Sequence, residues 1–326
     1  MNAKSKKMLS DNMTWIILVV LVIIMSVANP KFFSVANLTT LLTGESIKGI
    51  MAFGICFAIL IKGIDLSLGA VAALVGCVTG ALVQPVDYAS KVLPGIGQLP
   101  GFVAVIIGIV MGVVIGFVIG WLIAYTKIPA FIATLGAQLI CRAAAKIFTT
   151  RPVSNLSSSY RFLGSGKVFG VIPMIIVVFL IVFAAATFIL TQTRFGKSLY
   201  AIGGNDQAAR VAGINVEKNV ILTYVWCSCM GAIGGILLAG RAGSADPANS
   251  GLSYELDAVA AATVGGTSHA GGICKVSGVL SGILILGVIN NGLVLMGVDD
   301  NMTNIIKGVI IIGAVVLDMR KNAKRA

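Results

Sequence analysis

Nine uninterrupted apolar stretches run through this chain, near residues 14–29, 46–62, 66–84, 101–126, 129–149, 170–192, 219–240, 275–297 and 303–319. An α-helix of about 20 apolar residues crosses the hydrocarbon core of a bilayer. Within that core every backbone polar group must be satisfied internally, which leaves helices and closed barrels as the spanning structures. These runs are continuous rather than alternating, so helices are expected. Composition agrees, with 57% hydrophobic and 11% charged residues. A soluble globule of 326 residues has too little interior for that much apolar surface. The expected fold is an all-α integral membrane protein, with residues 1–326 forming a single transmembrane domain.

A tenth, shorter stretch lies at 256–270 and ends in glycines. The positive-inside rule assigns Lys4, Lys6 and Lys7, and the tail Arg320-Lys321-Asn322-Ala323-Lys324-Arg325, to the cytoplasm. Both termini share a side only if the number of crossings is even. Ten crossings add Lys62, Lys127, Arg194, Lys197, Arg210, Lys218 and Lys275 to the cytoplasmic side. The outer side then holds Lys31, Lys48, Lys91, Arg151, Arg161, Lys167 and Arg241. The net charge of +12 is accordingly a topology signal and not the mark of a nucleic-acid binder. The first apolar run lacks a small-residue cleavage site and is read as a retained span.

The link at 62–66 is short enough to be a break inside the membrane, and 256–270 is read either as a full crossing or as re-entrant. Asp65-Leu66-Ser67-Leu68-Gly69-Ala70-Val71-Ala72-Ala73-Leu74-Val75-Gly76 weakly resembles Glu255-Leu256-Asp257-Ala258-Val259-Ala260-Ala261-Ala262-Thr263-Val264-Gly265. In the ten-span arrangement the two start on opposite sides, as short broken helices of an inverted repeat would. Gly108, Gly112, Gly116 and Gly120 form a smooth stripe on one helix, and Gly278 and Gly282 a second pair. Such stripes let helix backbones approach closely, within one subunit or across a dimer seam.

Catalytic constellations are missing from the sequence. It has one histidine, His269, in a glycine-rich turn, and its six cysteines are read as small apolar residues of helices. No metal site is expected. Gly196-Lys197-Ser198 ends like a phosphate-binding loop, but Thr191 stands where the first glycine belongs, so this subunit is not expected to bind ATP. Spans also lack a mid-helix carboxylate to carry a proton or Na⁺, which counts against an ion-coupled secondary transporter.

The longest internal polar stretch, about 193–218, faces the cytoplasm in this arrangement. Asn205 is a suitable N-cap for a short helix ending at Gly213. Arg194, Lys197 and Arg210 supply charge for docking, and Ala208, Ala209 and Val211 a small apolar face. Here the chain resembles the permease subunits of ATP-binding-cassette importers for monosaccharides of the ribose and galactose type. The likeness extends over Gly63-Ile64-Asp65-Leu66-Ser67 with Gly69, Phe131-Ile132-Ala133-Thr134-Leu135-Gly136, the stretch 194–215, Tyr254-Glu255-Leu256-Asp257-Ala258 with Gly265-Gly266-Thr267-Ser268, Asn290-Asn291-Gly292-Leu293 and Ile306-Lys307-Gly308.

That resemblance implies a homodimeric inner-membrane permease, served by ATPase subunits on the cytoplasmic side and by a sugar-binding protein outside. ATP and Mg²⁺ would belong to the ATPase, leaving this subunit without a cofactor. Residues Gly203, Gly204, Asn205, Ala208, Ala209, Arg210 and Gly213 match the family's coupling helix. A neutral sugar calls for hydroxyls and amides along its path, for which Thr79, Thr134, Gln138, Asn290 and Asn291 are candidates, each equally able to bond between helices. Asp65, Glu255 and Asp257 are read as tethers of the short helices beside them. Arg142 and Lys146 either snorkel to the headgroups or line an outer vestibule. Permeases of the same superfamily for branched-chain amino acids or nucleosides would carry a similar coupling loop.

Overall fold

The computed structural model describes residues 13–323, so the basic residues at 4–7 and 324–325 lie outside the described part. The described residues form thirteen helices: α1 (Met13–Ala28), α2 (Val35–Leu60), α3 (Leu68–Leu82), α4 (Gly101–Thr126), α5 (Ala130–Phe148), α6 (Ser158–Ser165), α7 (Met174–Gln192), α8 (Arg194–Gly204), α9 (Asp206–Val211), α10 (Val216–Ala242), α11 (Tyr254–Val264), α12 (Val276–Leu295) and α13 (Asp300–Ala323). A two-residue hairpin, β1 (Lys167–Val168) with β2 (Ile172–Pro173), is the one sheet among the described residues. Among the described residues, six helices, α2, α4, α5, α7, α10 and α12, are long and apolar enough to cross a membrane. The protein is an all-α, multi-pass membrane protein.

Pro100, Pro129 and Pro173 stand just before α4, α5 and α7. Proline fixes φ and lacks the N–H that a first turn leaves unpaired, so it marks these starts. The helix containing the expected span 46–62 begins much earlier, at Val35. Its polar flank stays helical because Thr39, Thr40, Thr43 and Ser46 return their hydroxyls to carbonyls one turn back, at 2.6–2.9 Å.

Helix α10 is the hub, packed on α2, α3, α4 and α6. The glycine stripe of α4 faces it: a methyl at Gly112 would lie 2.8 Å from Cβ of Ala232, and one at Gly120 2.7 Å from Cα of Ile221. Gly278 and Gly282 of α12 meet Gly265 and Ala261. Both stripes therefore serve packing within one subunit. Contacts exchange between halves of the chain: α3 lies on α10 while α11 lies on α2, α4 packs on α10 while α12 packs on α2, and α5 contacts α3 while α13 contacts α11. An inverted repeat requires this reciprocal pattern.

Both short helices begin inside the bundle. After Leu60 the chain turns at Lys62 (φ +64°) and runs unwound through 63–67 before α3. On the other side, loop 243–253 passes Ala245, bridged to Val153, and reaches Gly251, which abuts Gly69 at the start of α3. The segment expected as a helix over 256–270 is helical only over α11, and 265–275 continues without regular structure to Gly271, against Gly203. Glycine at 265, 266, 271 and 272 ends the helix, the last three with positive φ. One end of the bundle gathers Lys62, Lys127, α8, α9 and 271–275. Loops 83–100, 149–157 and 241–253 gather at the other, joined by Gln84 to the Ser154 carbonyl (2.8 Å) and Arg151 to the Ser90 carbonyl (3.2 Å).

Candidate coupling surface and interior polar sites

Thr193 caps α8 by accepting from the Gly196 N–H (3.1 Å), and Asn205 caps α9 by accepting from the Ala208 N–H (3.0 Å). Gly213, at φ +81°, closes α9 while its N–H and that of Ile214 bond the carbonyls of Arg210 and Ala209. The short helix expected from the sequence is thus present with its predicted cap and stop. Ala208 is exposed and Val211 is 91% exposed, whereas Ala209 is buried with Ile202 and Val216. Of the apolar face expected at Ala208, Ala209 and Val211, Ala209 is turned inward and anchors α9, while Ala208 and Val211, with Ala212, face outward. A turn of α-helix separates 208 from 211 and 212, which places them on one side.

Arg194 and Lys197 are exposed. Arg210 is committed to Glu217 (2.7 Å), whose carboxylate also receives Lys127 (3.0 Å). This triad ties α9 to the first turn of α10 and to the turn between α4 and α5. Gly203 admits no side chain, because a methyl there would fall on the Leu60 carbonyl, and Gly204 has open space. The Gly272 N–H donates to the Leu60 carbonyl (2.9 Å) and the Tyr200 hydroxyl to that of Cys274 (2.7 Å). The module therefore touches both unwound links that lead to α3 and α11. Tyr200 carried no signal in the sequence beyond lying in the same stretch.

In the interior, Asp65 Oδ1 accepts both the N–H (2.9 Å) and the hydroxyl (2.6 Å) of Ser67 just ahead of α3. Gln138 donates to Glu255 in the first turn of α11 (3.2 Å), and Thr134 to the Ile64 carbonyl of the unwound link (3.2 Å). Thr79 shares a hydrogen bond with Tyr160 (2.7 Å) and Asn291 exchanges two with Asn37 (2.8 and 2.9 Å). Arg142 is half-buried and donates to the carbonyls of Pro247, Ala248 and Ser250 in loop 243–253. Lys146 is exposed.

Asn290 lines a small cavity with Glu45, Lys48, Asp257 and Lys307. Lys48 lies 3.0 Å from Asp257 and 3.5 Å from Glu45, and Lys307 lies 3.7 Å from Asp257. The expected span 46–62 starts just after Glu45, Lys48 is expected on the outer side, and no mid-span carboxylate is expected. The early start of α2 corrects this expectation, placing both in the body of a 26-residue helix. Their i, i+3 spacing was the available signal.

The family described as branched-chain amino acid transport system / permease component matches residues 37–315. The chain is 38% identical, over the full length of both proteins, to the galactose/methyl galactoside import permease protein of Escherichia coli (strain K12). It is 39% identical to the ribose import permease protein of the same strain, over 97% of this chain and 96% of that one. The ribose import permease protein of Bacillus subtilis (strain 168) is 40% identical over 94% and 92%. No solved structure matches. With a match spanning most of its helices and relatives aligned nearly end to end, this chain belongs to the permease-component family of such transport systems.

Proposed function

We propose that this chain is the membrane permease of an ATP-binding-cassette importer, carrying a monosaccharide of the ribose or galactose type inward by alternating access. The observation that carries this reading is end-to-end identity of 38–39% to import permeases named for those two sugars. Two copies form the membrane unit, an ATPase docks on α8 and α9, and a sugar-binding protein delivers substrate at the opposite end. ATP and Mg²⁺ are held by the ATPase. Both chain termini and α9 face the cytoplasm, in keeping with the basic residues gathered there. ATP-driven closure of the ATPase pair would shift α9, and with it the links to α3 and α11.

With Glu45 buried and Asp257 half-buried beside Lys48, the expected lack of a mid-span carboxylate no longer counts against an ion-coupled carrier. Family membership favours the ATP-driven reading. The test is uptake of labelled ribose and galactose by the permease reconstituted with its ATPase and binding protein. Uptake requiring ATP is expected, and accumulation by the permease alone would overturn the reading. Ala208→Trp places a bulky ring on the exposed face of α9. It should abolish uptake while changing the permease's own stability by no more than about 0.5 kcal/mol, as for an exposed substitution.

A further inference from the structure

A neutral sugar requires no charges in the membrane interior, yet Glu45, Lys48, Asp257 and Lys307 meet there with side chains only 12–24% exposed. Intramembrane charges are costly and mark functional positions. Buried ion pairs add little stability over apolar packing, while removing one partner is strongly destabilising. A charge-balanced cluster of this kind is thus suited to a contact that must be made and broken rather than to a permanent weld.

Its position says which element it holds. Asp257 lies in the first turn of α11, Glu45 and Lys48 on α2, and Lys307 on α13. Lys48 also stands 5.6 Å from the Tyr254 ring, at the first residue of α11. Helix α11 has 11 residues, and its N-cap, Ser253, takes a left-handed φ of +63° and makes no side-chain capping bond. Glycines with positive φ lie on both sides, at 251 and at 266, 271 and 272. Its N-terminal end is therefore held by packing and charge and not by a side-chain cap. Beyond its far end, Gly271 and Gly272 rest on Gly203 and Gly204 of the coupling module, and Lys62 packs on Gly271.

We infer that Glu45, Lys48 and Lys307 form an ionic clamp on Asp257 that holds half-helix α11 in the conformation described, and that displacement of the coupling module releases it during transport. These are positioning residues. The transport arm of the inference rests on the importer reading above, whereas the clamp itself is measurable without transport.

Hydrogen–deuterium exchange of the full-length permease in lipid nanodiscs reads it directly, with α3 as an internal control. Lys48→Met should accelerate exchange of α11 amides tenfold or more and leave α3 amides unchanged, and Lys48→Arg should retain wild-type protection. Lys307→Met, which leaves the contact of Lys48 with Asp257 in place, should accelerate α11 about threefold. In the reconstituted complex, Lys48→Met should cut uptake at least tenfold while ATP hydrolysis persists. The clamp is overturned if α11 exchange in Lys48→Met stays within twofold of wild type, or if Lys48→Arg behaves like Lys48→Met. Equal acceleration of α3 and α11 in both methionine variants also overturns it, since the cluster would then support the fold at large. Failure of wild-type uptake would instead count against the importer reading alone.

Discussion

Gly203 and Gly204 are adjacent yet differ in what a side chain would meet. A methyl at 203 would strike the Leu60 carbonyl at the end of α2, and one at 204 would meet nothing within 4 Å. Gly203→Ala should reduce ATP-driven uptake at least tenfold, and Gly204→Ala should leave it within twofold, as measured in the reconstituted complex. The same kind of contrast separates Ala208 from Ala209. Ala209 packs against Ile202 and Val216, so Ala209→Trp should destabilise the permease by about 1–3 kcal/mol through overpacking, read as a lowered thermal midpoint in detergent. Composition and spacing show a polar stretch with a short capped helix, and the family resemblance is what implies a coupling role for it. Which neighbour turns inward depends on the helix phase set by the Asn205 cap and by contact with α8 and α10, and no local pattern in six residues fixes it.

At the scale of elements, the long helices were legible because length and apolarity are local properties. Helices α4 and α5 match their expected spans to within a residue at each end. The start of α2 was missed because hydroxyl-bearing residues look like a loop in hydropathy, whereas their side chains here satisfy themselves on the helix backbone. The partner of the α4 glycine stripe was equally out of reach, since glycine periodicity says that a backbone approaches and not whose. Because that backbone is α10, Gly116→Val should lower the thermal midpoint markedly, by the several degrees that correspond to about 2 kcal/mol or more of core strain. Gly136→Val on α5, where nothing lies within 4 Å, should leave it unchanged.

For the whole molecule, the two ends of the bundle should label from opposite sides of the membrane. Phe169, in the hairpin between β1 and β2, is 93% exposed, and Gln207 on α9 is exposed. An impermeant thiol reagent applied outside intact spheroplasts should modify Phe169→Cys and reach Gln207→Cys only after lysis; the reverse result would invert the topology. The native thiols interfere little, as five of the six are buried. The expected alternation of sides comes from the sequence itself, because hydrophobic length and the placement of lysine and arginine act on each segment separately. The resemblance of Asp65 and Glu255 segments pointed to two related halves in the same way. Tertiary structure alone decided the rest: that α3 and α11 begin inside the bundle, that each packs on the long helix of the opposite half, and that Glu45, Lys48, Asp257 and Lys307 meet. Lys48 and Asp257 stand 209 positions apart and Lys307 another 50 beyond Asp257, and only the folded chain brings these charges within 4 Å.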